Sequence, residues 1–211
     1  MPGLTFLNLH DDENTGVEAA LSVIRRYGGR VIELQHGGER NIAFSLADTS
    51  YTFDPNRMFT DRGAELTLAD LSDSSQAATS AVRAFAEALL EEIGLDTVET
   101  IITLHNNTDE RYSALSYNSG GEYEADVLFV HLTDDVDPDD FFFVTDRRLY
   151  DRLRQGDFNA ALQDNARATD DGSLSVYAGQ QGVPYVNVEA EHGHFEMQVK
   201  MLEYLREVLE E

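Results

Sequence analysis

The chain has 211 residues, 42% of them hydrophobic, and its 15 basic and 40 acidic side chains give a formal net charge of −25. At this length we expect one domain over residues 1–211 with a sizeable core, and the apolar content argues against disorder. The charge excludes general nucleic-acid binding and disfavours docking on anionic membranes, because both depend on basic side chains.

The acidity has two interpretations, a surface for basic partners or solubility in concentrated salt. Acidic residues are spread along the chain, and 14 of the 15 basic residues are Arg, with Lys200 the exception. This distribution favours adaptation to a high-salt cytosol. The N-terminal residues lack the basic start and long apolar run of a signal peptide, and no apolar run approaches the ~18 residues of a membrane span, so we expect a cytoplasmic protein.

Apolar runs and amphipathic segments alternate along the chain. The predicted strands cover residues 4–9, 30–35, 42–46, 51–53, 100–104, 127–132, 158–162, 174–177 and 184–188. The predicted helices cover residues 15–27, 74–93, 145–154 and 194–209. The acidic stretch 134–140 is predicted to be a solvated loop, and Phe141–Phe143 to form core or a pocket wall. The alternation indicates an α/β three-layer sandwich with a mixed, largely parallel sheet flanked by helices.

Three predicted strands are followed at once by an ionisable side chain, namely His10, His105 and Glu189. In open α/β sheets the functional crevice lies outside the carboxyl ends of the strands. We therefore expect these three side chains to approach one another at that edge of the sheet.

The first of these positions opens an H-x-x-E motif, His10 to Glu13. On a tight turn, a His and a Glu three residues apart can offer a nitrogen and an oxygen to one cation. The chain has no cysteine, so two histidines and a glutamate are the natural ligands for a catalytic zinc, with His105 as the third. The alternative is a solvated acidic turn.

A second motif is Asp54-Pro55-Asn56-Arg57. The Arg57 guanidinium suits a carboxylate or an oxyanion, and Asn56 adds an amide donor. Asp54 could accept the second N–H of a metal-bound histidine and so orient its ring. The alternative is an ordinary turn with a surface salt bridge.

Near the C-terminus, Glu189 could act as general base beside a metal. Glu191 competes for that role, because two residues at i and i+2 of a strand point to the same face, and the spacing does not choose between them. His192 and His194 could also bind metal, although capping of the last helix or lining of the pocket rim is the more ordinary role.

The order of these motifs resembles the zinc carboxypeptidase superfamily, which includes the succinylglutamate desuccinylase/aspartoacylase-like deacylases. H-x-x-E follows the first strand, D-x-N-R lies midway, a His ends a later strand and a Glu ends a strand near the C-terminus. The matching elements run from residue 10 to residue 189 and so span most of the chain.

The resemblance implies a role for each matching residue. The implied zinc ligands are His10, Glu13 and His105, with Asp54 orienting His10; Asn56 and Arg57 would hold the substrate carboxylate or polarise the scissile carbonyl, and Glu189 would be the general base. The chain is short for a peptide-digesting carboxypeptidase. The tyrosine that caps the substrate in the family could be Tyr112, Tyr117, Tyr123 or Tyr177.

The resulting hypothesis is a Zn²⁺-dependent amide hydrolase acting on a small peptide or N-acyl amino acid with a free carboxylate. One alternative is a zinc hydrolase similar to cell-wall amidases. Another is a catalytically silent metal-binding module. The sequence leaves the oligomeric state open.

Overall fold

The structure is a computed structural model that describes residues 3–95, 97–109 and 111–210. The strands are β1 Thr5–Asn8, β2 Arg30–Glu33, β3 Ile42–Leu46, β4 Thr49–Phe53, β5 Ile101–Asn107, β6 Val127–His131, β7 Phe141–Val144, β8 Asn159–Gln163 and β9 Tyr185–Glu191. The α-helices are α1 Asn14–Tyr27, α2 Asp61–Leu71, α3 Gln76–Ile93, α4 Arg147–Leu153, α5 Leu174–Gln181 and α6 Phe195–Glu210. No helix in the described ranges is long and apolar enough to cross a membrane.

Seven strands form the central sheet in the order β2-β1-β5-β9-β7-β8-β6, and β3 and β4 form a separate antiparallel hairpin. The first four strands of that order are mutually parallel. β7 runs antiparallel to β9 and parallel to β8, and β6 is antiparallel to β8. The predicted mixed, largely parallel sheet is thereby confirmed.

Both faces of the sheet are covered by helices, which confirms the three-layer arrangement. One core contains buried side chains of α2, α3, α5 and the hairpin, such as Leu68, Val82 and Phe53. The other contains buried side chains of α1, α4 and α6, such as Val23, Leu149 and Leu202. Strands enclosed on both faces read as continuous apolar runs, which is why the central ones were visible in the sequence.

Helix ends follow the local chemistry of the chain. The Ser75 side chain accepts a hydrogen bond from Ala78 N at the start of α3, and Gly94 closes that helix in the left-handed region at φ 75°. Such a cap satisfies backbone groups that the helix leaves unpaired, and glycine adopts this φ without strain. The predicted helix over 74–93 is confirmed with its start two residues later.

The predicted strand over 174–177 is wrong, because these residues open helix α5. The Ser173 side chain accepts from Val176 N and caps the helix, which ends at Gly182 in the left-handed region. A short apolar run bounded by turn residues does not distinguish a buried strand from a buried helix. Packing against β9 decided the outcome.

Two elements were not predicted. Helix α2 starts at the Thr60 cap, and strand β7 contains the three phenylalanines that were expected to form core or a pocket wall. All four residues of β7 are buried, so the core interpretation is confirmed. The acidic stretch before β7 is not uniformly solvated as expected, because Asp139 and Asp140 are buried. The Asp140 carboxylate accepts from Glu191 N at 3.1 Å and pairs with His194.

Candidate metal centre

The parallel pairing of β1 with β5 brings two of the predicted ligands, His10 and His105, together. His10 follows the end of β1, and His105 lies within β5. A turn closed by the hydrogen bond from Glu13 N to His10 O, 3.1 Å long, then returns Glu13 to the same place. His105 and Glu189 were expected just after their strands, but β5 and β9 each continue for two more residues.

The donor atoms of His10, Glu13 and His105 converge. Nδ1 of His10 lies 3.2 Å from Nδ1 of His105. The Glu13 carboxylate spans both rings, with Oε1 2.9 Å from Nδ1 of His10 and Oε2 2.8 Å from Nδ1 of His105. All three side chains are buried, and their ligand atoms are close enough together to hold one metal ion.

This donor set fits zinc, which takes imidazole nitrogen and carboxylate oxygen ligands in catalytic sites. Burial disfavours the charged form of Glu13, yet the two histidines hold its pKa well below the usual range. Burial lowers the pKa of His105, which favours the neutral ring that a metal requires. Burial also lowers the pKa of His10, but Glu13 and Asp54 outweigh this and raise it to about 9, so a metal would displace a proton there.

Asp54 lies where an orienting carboxylate is needed. Its Oδ1 is 2.8 Å from Nε2 of His10, so the ring N–H donates to it and Nδ1 is left facing Glu13 and His105. Burial would raise the pKa of Asp54, but the contact with His10 holds it below its usual range. Asp54 is fixed in turn by a hydrogen bond from its own N–H to Oγ1 of Thr67, a residue of α2.

Arg40 belongs to the site and was missed by the sequence analysis. Its Nη1 donates to Oε1 of Glu13 at 2.6 Å, and its Nη2 lies 3.8 Å from Oδ2 of Asp54. Arg40 is in the segment that follows β2, a strand whose carboxyl end lies at the same edge of the sheet as that of β1. The position of β2 at that edge was the signal in the sequence, but six residues lie between the end of the strand and Arg40.

Asn56 and Arg57 line a cavity together with Glu13 and His105, and both are bonded to other protein groups. Nη2 of Arg57 lies 3.5 Å from Oδ2 of Asp171, and its Nη1 donates to the carbonyl of Asn56. Oδ1 of Asn56 accepts from Leu174 N, at the start of α5. The amide oxygen of Asn56 thus anchors the turn, and within the described part of the chain its Nδ2 is the group left to act as a donor.

Glu189 is the better placed of the two candidate bases. It is buried in β9 directly opposite His105 in the strand register, and Nδ2 of Asn187 donates to its Oε2 at 2.8 Å. Burial, reinforced by the Glu13 charge, raises the pKa of Glu189 to about 8. Glu191 lies at the end of the strand, where Oε2 contacts Nε2 of His194 at 3.2 Å, and it does not line the cavity.

A cavity of about 640 Å³ joins these groups. The predicted site residues that line it are Glu13, Asn56, Arg57, His105 and Glu189, and His192 lies at its wall. Three of the four candidate tyrosines, Tyr112, Tyr117 and Tyr123, also line it, whereas Tyr177 packs against Phe59 instead. The hydroxyls of Tyr112 and Tyr117 are 2.5 Å apart. A second groove, of about 730 Å³ between α2 and α3, contains none of the predicted site residues.

No known protein-family model matches the sequence, and no curated protein matches it. Among solved structures, the chain is similar to a protein named "Putative metallopeptidase" from Shewanella baltica OS155, with 13% identity, a TM-score of 0.46, and coverage of 99% of this chain and 75% of that one. A protein of the same name from Shewanella amazonensis SB2B has 11% identity, a TM-score of 0.43, and coverage of 97% and 74%. Likenesses this distant carry no argument, so function has to be inferred from the arrangement of the residues.

Proposed function

We propose that the chain is a zinc-dependent amide hydrolase that acts on a small peptide or N-acyl amino acid with a free carboxylate. The observation that carries the proposal is the convergence of His10 Nδ1, His105 Nδ1 and the Glu13 carboxylate, beside a cavity that Glu13 and His105 line together with buried Glu189. A metal-ligand set with a separate buried carboxylate beside it is the arrangement that metal-assisted hydrolysis needs.

His10, Glu13 and His105 would hold the metal, and Asp54 would keep the His10 ring in the tautomer that frees Nδ1. Bound zinc would polarise the scissile carbonyl and lower the pKa of a water molecule. The buried environment excludes bulk water from these groups, which strengthens each electrostatic interaction among them.

Glu189 would accept a proton from the attacking water on its carboxylate and deliver it to the leaving amine. Its pKa of about 8 shows how strongly burial opposes its charge, and a nearby dication would favour the carboxylate form that a base requires. The hydrogen bond from Asn187 holds one of its oxygens in place.

Two guanidinium groups would bind the substrate. Arg57 would pair with the substrate carboxylate, for which Asp171 is the competing partner at 3.5 Å. Arg40, which donates a hydrogen bond to Glu13, would stabilise the negative charge that develops on the carbonyl oxygen of the substrate. The Tyr112–Tyr117 hydroxyl pair offers a neutral donor in the lining of the cavity.

The test is the substitution Glu189→Gln, assayed for bound zinc and for hydrolysis of a panel of N-acyl amino acids and dipeptides. We expect zinc binding to persist and turnover to fall by about 10²–10⁴-fold, the usual contribution of a general base. Glu191→Gln is the matched control and should stay close to wild type.

Full activity in Glu189→Gln together with loss in Glu191→Gln would move the base to Glu191. A wild-type chain that binds no zinc after metal addition, or that binds zinc and hydrolyses no substrate of the panel, would contradict the proposal and favour a binding module. Carboxamide-blocked substrates should be hydrolysed poorly, because Arg57 then has no carboxylate to pair with.

A further inference from the structure

Two buried amide side chains bond to the backbone of β5 and β9 close to the metal centre, on the side of the sheet where α6 packs. They are Asn106 of β5 and Gln198 of α6, and Nδ2 of Asn106 donates to Oε1 of Gln198 at 3.0 Å. Gln198 is entirely inaccessible to solvent, and Asn106 is nearly so. Neither residue was singled out by the sequence motifs.

The pair is saturated with hydrogen bonds. Nε2 of Gln198 donates to the carbonyls of His105 and Val188, each at 3.1 Å. Nδ2 of Asn106 also donates to the carbonyl of Ala190 at 3.2 Å, and its Oδ1 accepts from Gly16 N at 2.9 Å. Amides buried in an apolar core are kept only when their donors and acceptors are satisfied, and here each side chain uses both of its N–H groups and its oxygen.

The bonded backbone groups belong to the segments that carry the proposed site. One acceptor is the carbonyl of His105 itself, and two others belong to the residues on either side of Glu189. Gly16 lies in the first turn of α1, three residues after Glu13. The amide pair therefore connects the backbone of His105 with the two residues that flank the proposed base and with the helix turn that follows Glu13.

The approach of α1 to β5 depends on Gly16. A Cβ at this position would lie 3.0 Å from Cβ of Leu104 and 3.3 Å from Nε2 of Gln198, tighter than ordinary contact. The missing side chain lets the first turn of α1 come close enough for its N–H to reach Asn106. This bond ties the helix turn that follows Glu13 to the residue next to His105, in addition to the side-chain contact between Glu13 and His105.

We infer that Asn106 and Gln198 are positioning residues that set the relative placement of Glu13, His105 and Glu189, an inference that rests on the proposed function. Side chains of a catalytic constellation have to be held within about 0.5 Å of their productive geometry. Successive side chains of a strand point to opposite faces, so Asn106 points away from the face that His105 occupies. The amide pair thus hydrogen-bonds β5 to β9 from the face opposite the His105 side chain.

The test compares Gln198→Met with Asn159→Leu. Methionine is close to glutamine in shape but donates no hydrogen bond. Asn159 is an equally buried amide on β8, two strands from Glu189, and its Nδ2 donates to the carbonyls of Val136, Asp137 and Asp140. Both substitutions should destabilise the fold, but only the first acts on the site.

For Gln198→Met we expect zinc affinity, measured by chelator competition, to fall by about 10–100-fold, the usual effect of losing a group that orients metal ligands. The turnover number kcat should fall at least as much, with KM little changed, because Arg57, the proposed partner of the substrate carboxylate, has no contact with Gln198 among its hydrogen bonds and ion pairs in the described chain. Asn159→Leu should leave zinc affinity and kcat within about threefold of wild type, since it removes no support of the site.

Equal effects of the two variants at an equal loss of thermal stability would overturn the inference, because the pair would then be only structural. If Gln198→Met does not fold, the double variant Asn106→Leu/Gln198→Met is measured in its place. It removes both amides together, so that no buried Asn106 N–H group is left without its Gln198 acceptor. The wild-type protein separates the two proposals. If the wild-type protein binds no zinc, the proposed function and this inference are both contradicted. If the wild-type protein binds zinc but Gln198→Met and Asn159→Leu have the same effects, only the inference is contradicted.

Discussion

At the scale of single residues, Arg40 places a positive charge 2.6 Å from a carboxylate oxygen that would bind the metal. Its guanidinium also lies 3.8 Å from Asp54, so it faces both carboxylates that contact His10. Burial of Arg40 lowers its pKa, but the attraction of Glu13 and Asp54 raises it overall, so the side chain stays charged. A fixed cation at this place opposes a second cation bound to the same carboxylate.

We therefore expect Arg40→Gln to bind zinc more tightly than wild type, by about tenfold or more, since repulsion worth ~1.4 kcal/mol already gives that factor. Arg40→Lys keeps the charge and should stay near wild type. Competition with a chromophoric chelator measures both. Weaker binding by Arg40→Gln would show that Arg40 orients Glu13 more than it repels the metal.

At the scale of elements, the turn that carries Asn56 and Arg57 leads into α2, and the backbone of this region packs directly against the segment that precedes α5. Phe59 N donates to the carbonyl of Gly172 at 3.0 Å. A Cβ on Gly63 of α2 would overlap Cα of Gly172, and Gly172 has a φ of +83° that favours glycine. Gly172 adjoins Asp171, the partner of Arg57, so this contact sets the distance between the two charges.

Gly63→Ala should therefore destabilise the protein by about 1–3 kcal/mol, the usual cost of overpacking. It should also raise KM for a substrate carboxylate, because α2 and the Asp171 segment have to separate. Urea unfolding and steady-state kinetics measure the two effects. Glu65→Ala, an exposed change in the same helix, is the control, and a Gly63→Ala protein as stable as that control would contradict the close contact.

At the scale of the whole molecule, the net charge of −25 acts against the compact state through self-repulsion. Salt screens this repulsion, and the screening length is already ~3 Å at 1 M. We propose that most of the carboxylates outside the site form a solvated surface suited to a high-salt cytosol.

The melting temperature Tm should accordingly rise steeply as KCl increases from about 0.1 to 1 M, where screening of exposed charges is largely complete. A further rise of Tm above 1 M KCl would indicate that concentrated cations stabilise the folded protein through its surface carboxylates, as adaptation to a high-salt cytosol requires. A Tm that does not change with KCl would contradict both the destabilising self-repulsion and the proposed adaptation of the surface to concentrated salt. Equal molar sucrose, which screens no charge, is the control.

Most strands, the long helices and the His10–Glu13 motif could be predicted from the sequence, because they depend on interactions between residues that are close together in the chain. Continuous apolar runs located the buried strands, alternation located the β3–β4 hairpin, and helical spacing located the long helices, α3 among them. His10 and Glu13 were recognisable because only two residues of one turn lie between them. The expectation that ionisable groups meet at the strand ends held for His105 and Glu189, since parallel neighbours share one edge.

The tertiary structure decided what depends on segments far apart in the chain. Residues 174–177 became a helix, and Glu189 lines the cavity where Glu191 does not. Arg40 reached Glu13, and Gln198 of the last helix reached the carbonyl of His105. Periodicity reports which face of an element is apolar but not which element will lie against it, so contacts across 27 or 93 residues follow only from the packing of the whole sheet.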